Sequence, residues 1–225
     1  MCFSANASFG AGVVLTVIGV ASIKKTQHRS QLLFASIPFL FGIQQLAEGV
    51  LWVTLPNPAY LQIQKIATYV YLFFAQVLWP IWVPFAILLV EKSETRNKIQ
   101  WVLLGAGLMA GLYLGYCLLA FHVEAKIAGH HIMYLLDNPD MPQNYIFVLY
   151  GIASILPAFF SHIKHMWILG VSALVSYLVS AFFFEHYVLS VWCFFASIIS
   201  LIIYAIMAEI SKSEEQQPII AIPTS

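Results

Sequence analysis

The stretch Ile66-Ala67-Thr68-Tyr69-Val70-Tyr71-Leu72-Phe73-Phe74-Ala75-Gln76-Val77-Leu78-Trp79-Pro80-Ile81-Trp82-Val83-Pro84-Phe85-Ala86-Ile87-Leu88-Leu89-Val90 carries no Asp, Glu, Lys or Arg. A helix rising about 1.5 Å per residue needs about 20 mostly apolar residues to cross a hydrocarbon core about 30 Å thick, and this run exceeds that. Residues 2–23, 99–121, 141–163, 166–184 and 187–208 are free of those charges too and have about the required length. Residues 31–55 form a seventh run, interrupted only by Glu48. These runs predict an all-α membrane protein, a seven-transmembrane-helix bundle over residues 1–211. A short disordered cytosolic tail, 212–225, is expected to follow.

Of the 225 residues, 61% are hydrophobic and 9% charged, which excludes an ordinary soluble domain. Seven spans and their loops leave no room for a second folded unit. Net charge is zero and no basic stripe is present, so nucleic acid is excluded as a partner. The start lacks the basic region of a cleavable signal, and the first run is read as a retained helix. With the N-terminus outside, Lys24, Lys25, Arg29, Lys92, Arg96, Lys98, Lys164 and Lys212 share one face and Lys65 and Lys126 the other. That asymmetry places the C-terminus in the cytosol and the protein in the cell (inner) membrane, as a multi-pass protein.

Small residues recur at helical spacing and predict close helix contacts: Gly107, Gly111 and Gly115; Ser172, Ser176 and Ser180; Ser4, Ser8, Gly12 and Thr16; and Ser190, Cys193, Ser197, Ser200 and Tyr204. Pro38, Pro80, Pro84 and Pro157 fall inside predicted spans, where each removes a backbone hydrogen bond and favours a kink. The run from Trp79 to Pro84 is the most distorted.

Glu48 is the leading candidate for a functional group. A carboxylate inside a bilayer costs about 2.5–3.5 kcal/mol on insertion scales and therefore faces protein or a wet cavity. Gln44, Glu48 and Trp52 share a helix face, with Gln45 adjacent. Counted from the outer helix ends, Glu48 and Tyr177 lie about 10 Å deep, Cys193 about 9 Å, Tyr116 about 7 Å and Gln76 about 15 Å. Glu185 and His186 occupy the turn above this level. An outward-facing polar and aromatic pocket holding Gln44, Gln45, Glu48, Trp52, Gln76, Trp79, Tyr177, Glu185, Trp192 and Cys193 satisfies these depths. In an enzyme built this way, Glu48 and His186 are the catalytic pair, and Trp52, Trp79 and Trp192 shape a slot for a lipid-like substrate. The structural alternative is a neutral Glu48 hydrogen-bonded to a neighbouring helix.

The outer histidines and cysteines raise the question of zinc or copper, but the sequence has no CxxC or HExxH, and His130 and His131 are adjacent. No metal ligands are assigned, and the cofactor stays unknown. His162 and His165 mark a cytosolic boundary. Residues 122–144 read as a long outer loop, with Ile132-Met133-Tyr134-Leu135-Leu136 dipping over the pocket.

The opening Met1-Cys2-Phe3-Ser4-Ala5-Asn6-Ala7-Ser8-Phe9 resembles the start of an uncharacterised bacterial membrane-protein family. The resemblance extends through Phe41-Gly42-Ile43-Gln44-Gln45-Leu46-Ala47-Glu48-Gly49, Phe74-Ala75-Gln76-Val77-Leu78-Trp79-Pro80 and Ser190-Val191-Trp192-Cys193-Phe194-Phe195-Ala196. It implies a small polytopic membrane protein and brings no established activity. Microbial rhodopsins need a last-helix lysine that 187–208 lacks. The 3+1+3 sugar transporters need a repeat that is not evident here, and ceramidase-like hydrolases an HxxxH pair that is absent. The partners expected are the lipid bilayer and a small-molecule or lipid-like ligand. A small-solute or proton-coupled transporter and a membrane sensor are the alternative functions. Spans 2 and 3 turn apolar or aromatic toward the cytosolic end, which favours a closed pocket.

Overall fold

The computed structural model describes residues 4–137, 143–183 and 188–215, the side chains of 143, 144, 183 and 188–194 excepted. Helix α1 spans Ala5–Ile23, with the Ser4 hydroxyl accepting from the amide of Ala7 at its start. The single turn α2, Leu32–Ala35, leads into α3, Ile37–Thr54. Helix α4, Leu61–Leu72, passes through a π-helical stretch, Phe73–Leu78, into α5, Trp79–Val90. Helix α6 is Glu94–Ala120, followed by strands β1, Val123–Ala128, and β2, His131–Leu136. Helices α7, Gln143–Phe159, α8, Met166–Phe183, and α9, Val188–Glu215, complete the described chain.

Among the described residues, five helical stretches are long and apolar enough to cross a bilayer: Ala5–Ile23, Arg29–Thr54, Pro58–Val90, Glu94–Ala120 and Phe195–Glu215. Tyr145–Phe159 and Met166–Phe182 are apolar but shorter. Large apolar side chains face outward, with Leu119 83% and Phe182 81% exposed, and a water-soluble monomer rarely carries so broad an apolar surface. The chain is thus a helical, apolar molecule consistent with an integral membrane protein.

The small-residue stripes act as helix contacts. A Cβ on Gly12 would lie 2.8 Å from the Leu46 side chain, and one on Gly42 would lie 2.6 Å from the Thr16 hydroxyl, so α1 and α3 meet almost backbone to backbone. On α6, Gly111 faces the carbonyl of Val77 and the side chain of Ile81. Ser176 and Ser180 are buried on α8, as are Ser8 on α1 and Ser200 on α9, whereas Tyr204 is 36% exposed.

Four sequence expectations shift. Pro38 sits in the first turn of α3, where its missing N–H costs nothing, so the chain breaks at Ser36 and α3 itself is not kinked there. At this break the Leu33 carbonyl accepts from Ser36 Oγ at 2.8 Å and from Trp82 Nε1 at 3.1 Å. Helix α7 stops at Phe159, short of the expected 163. Beyond it the Ser161 carbonyl accepts from Arg96, and the His162 amide donates to Glu91. Helix α9 runs on to Glu215, into the segment expected to be a tail. The long loop contains an antiparallel hairpin pairing Val123 with Leu136 and Ala128 with His131. Gly129, at φ +62, supplies the left-handed turn residue such a tight connection needs.

The hairpin caps one end of the bundle. Ile132 and Ala125 pack on Leu51 and Ala67, and the Tyr134 ring stacks on Tyr71 at 4.7 Å. Lys92, Arg96 and Lys164 gather at the opposite, lysine end, near the last turns of α9.

Candidate functional site

Pro80 organises the middle of the bundle. In the π-helical stretch each amide bonds back five residues, as Trp79 N–H does to the Phe74 carbonyl. In that register the next donor, for the Ala75 carbonyl, would be Pro80, which has no N–H. Tyr150 on α7 supplies the donor instead: its hydroxyl bonds the Ala75 carbonyl at 2.7 Å. The same distortion presses the Pro80 carbonyl against Gly107 on α6, which leaves no space for a Cβ there.

A second link ties α3 to α5. Trp79 Nε1 donates to Gln44 Oε1 at 2.8 Å, and the Trp79 ring stacks on Phe41 with centroids 4.0 Å apart. Between these groups lies a cavity of about 80 Å³. Each helix contributes one row to its walls: Ile37, Phe41 and Gln44 from α3, Ala75, Trp79, Val83 and Ile87 along the π stretch and α5, and Tyr150, Ser154 and Ala158 from α7. Leu169 and Ala173 of α8 and Ile199 and Ile203 of α9 close it. The lining is overwhelmingly apolar, with Gln44, Ser154 and the Tyr150 and Trp79 heteroatoms as its polar groups. Ser154 Oγ is buried and has no hydrogen-bond partner among the described residues. Apolar cavities of this kind stay dry and take apolar guests.

Glu48 lies one turn beyond Gln44 toward the hairpin end and is fully buried. Its Oε2 accepts from Gln45 Nε2 at 3.2 Å, which satisfies part of the carboxylate within α3. Gln44, Gln45 and Gln76 are also buried, but Gln45 Oε1 and Gln76 Oε1 have no hydrogen-bond partner among the described residues. Unsatisfied buried acceptors of this sort mark a place for water or for a ligand donor.

The sequence-derived residues therefore divide. Gln44 and Trp79 are joined across helices and line the cavity, while Gln45 and Glu48 form a pair beside it. Gln76 is buried in the π stretch and makes no contact with the cavity. Trp52 packs beneath the hairpin with Leu51, Ala125 and Ile132, its Nε1 buried without a hydrogen-bond partner among the described residues. Tyr177 is half-buried, one turn beyond Ala173 on the same face of α8. Tyr116 is 64% exposed and so faces away from the bundle interior. Glu185 and His186 lie outside the described residues, as do the side chains of Trp192 and Cys193. Among the described residues, no three His, Cys, Asp or Glu side chains gather as a metal site would require.

Phe41, Tyr150 and Ser154 escaped the sequence reading because a lone aromatic or serine in an apolar run carries no spacing signal. Pro80 was the usable clue, since a proline in a span leaves a carbonyl that another helix must satisfy.

No curated protein and no solved structure matches the chain. A family model described as a family of unknown function, DUF6629, matches residues 1–217. The chain belongs to this uncharacterised family, DUF6629.

Proposed function

We propose that the protein is a multi-pass protein of the cell membrane that binds a lipid-like or small apolar ligand in the cavity between Phe41, Trp79, Tyr150 and Ala173. All seven apolar helices cross the bilayer in this reading, with the hairpin outside and the lysine end in the cytosol, as the basic-residue asymmetry favours. The observation that carries the reading is the apolar cavity edged by the Gln44–Trp79 pair and by the Ser154 hydroxyl, which has no partner among the described residues. The apolar walls hold the hydrocarbon part and the few polar groups orient its head. Glu48, with Gln45 bonded to it, supplies the charge or proton that makes occupancy consequential. An enzyme using Glu48 with His186 is a narrower form of the same reading. Against a through-transporter stands the hairpin, whose Tyr134 and Ile132 cover the end nearest Glu48.

The test is native mass spectrometry of protein purified in mild detergent. A bound amphiphile at near one-to-one occupancy is expected. It should fall about tenfold in Ala173→Phe, because filling the cavity costs the ligand most of its contact area. Protein that carries nothing, or an Ala173→Phe variant that keeps its ligand while folded, would reject the reading.

A further inference from the structure

We infer that the last turns of α9 are a strap that closes a route from the lysine end into the central cavity, an inference that rests on the ligand reading above. A second recess, about 250 Å³, lies at the lysine end between Gln31, Val90, Lys92, His162, Ile206 and Glu214. Three segments line both spaces, one turn apart: Ile203 and Ile206 on α9, Ile87 and Val90 on α5, and Phe34 on α2 with Gln31 just before it. The recess is therefore the axial continuation of the cavity. Val90 and Ile206, which line the recess, are buried and belong to the same apolar cluster as Ile87 and Ile203, which line the cavity.

The floor of the recess is fixed. Glu91 is buried, and its carboxylate accepts the amides of Lys92 and Ser93 at 3.1 and 3.0 Å and that of His162 at 2.6 Å. These bonds join the α5–α6 and α7–α8 connections through backbone groups, which cannot swing away.

The α9 side is held differently. Glu209 accepts from Lys164 Nζ at 2.9 Å and faces His165 Nδ1 at 2.7 Å. Ser211 accepts from Gln27 Nε2 at 3.1 Å. Glu214 accepts from Gln31 Nε2 at 3.1 and 3.2 Å, and pairs with Lys92 at 3.8 Å and His28 at 3.7 Å. One short segment thus grips all three connections at this end. Its cationic partners are largely exposed, Lys92 by 85% and Lys164 by 74%, and exposed ion pairs are individually weak. Such contacts can release together while the Glu91 floor stays in place. At the opposite end the closure is aromatic and apolar, with Tyr134 on Tyr71 and Ile132 on Leu51. The lysine end is the one that opens.

The experiment follows reach into the cavity. Ser154→Cys is placed in the full chain in nanodiscs and treated with a charged, membrane-impermeant thiosulfonate, with modification at position 154 read by peptide mass. Adding Glu209→Lys and Glu214→Lys should speed modification about tenfold by shifting the strap toward its released state. Raising salt should speed the parent in the same direction by screening the ion pairs. A disulfide between Gln27→Cys and Ser211→Cys, formed beforehand, should suppress both effects. A folded charge-reversal variant labelled no faster than the parent would overturn the strap, as would acceleration by Tyr134→Ala at the hairpin. If the charge reversals fail to fold, the salt series on the parent decides, and a flat response overturns the proposal. The reagent reports reach and not binding, so failure here leaves the ligand reading intact. Loss of that reading is registered separately, by the mass of the purified protein.

Discussion

Gly107→Ala is expected to destabilise the bundle by about 3 kcal/mol or more, an unusually large effect for one added methyl. A Cβ at Gly107 collides with the Pro80 carbonyl, backbone at the start of α5, and the π stretch just before it is already pinned by the Tyr150 bond to Ala75. Neither α6 nor the start of α5 can yield without opening the cavity wall that Ala75 and Trp79 form. Gly105→Ala, on the same helix, is the matched control. Nothing lies within 4 Å of its Cβ, and replacing a helical glycine there should be neutral or stabilising by about 0.5–1 kcal/mol. Thermal unfolding of the two variants in detergent checks the pair. Equal midpoints would mean that α6 and α5 do not meet as described.

The second large effect concerns Glu48. Glu48→Leu should cost about 1–3 kcal/mol, because the buried Gln45 amide loses its acceptor and leucine offers none. Glu48→Gln should remain folded, since an amide keeps the shape and an acceptor oxygen while removing the charge and the titratable proton. On the functional reading the glutamine variant loses ligand as completely as the leucine variant does. Native mass spectrometry separates the two properties, and undiminished ligand in a folded Glu48→Gln would reduce Glu48 to a structural hydrogen-bond acceptor.

The helices were readable because charge-free runs long enough for a bilayer admit little else: every backbone group must be satisfied within the segment. The close contacts were readable as well, since Gly107 and Gly111 on α6, and Gly12 on α1, meet other helices as their spacing implied. The hairpin was missed although its cues were present, with Ala125 buried between the more exposed Glu124 and Lys126, and Gly129 at the turn. Charged residues in a region already read as a loop hid that alternation. Which residues line the cavity was legible only in part, in Gln44 and Trp79. Counting residues from a helix end gives depth but not rotation about the axis. Tyr116 therefore lay near the depth of Glu48 yet points outward, and Trp52 shared a face with Glu48 yet packs under the hairpin. Glu91 drew no notice because it sits at a helix end, where a charge is unremarkable. Its three backbone bonds depend on His162, far along the chain, and on a fold no local pattern specifies.

The most direct measurement is an experimental density map of the protein in a lipid nanodisc, purified without added ligand. An elongated feature is expected, bounded by the Phe41–Trp79 stack, Tyr150 and Ala173, with a polar end within hydrogen-bonding distance of Ser154 Oγ. A cavity closed by its own side chains, with Ser154 bonded to protein and no feature between α3 and α8, would contradict it.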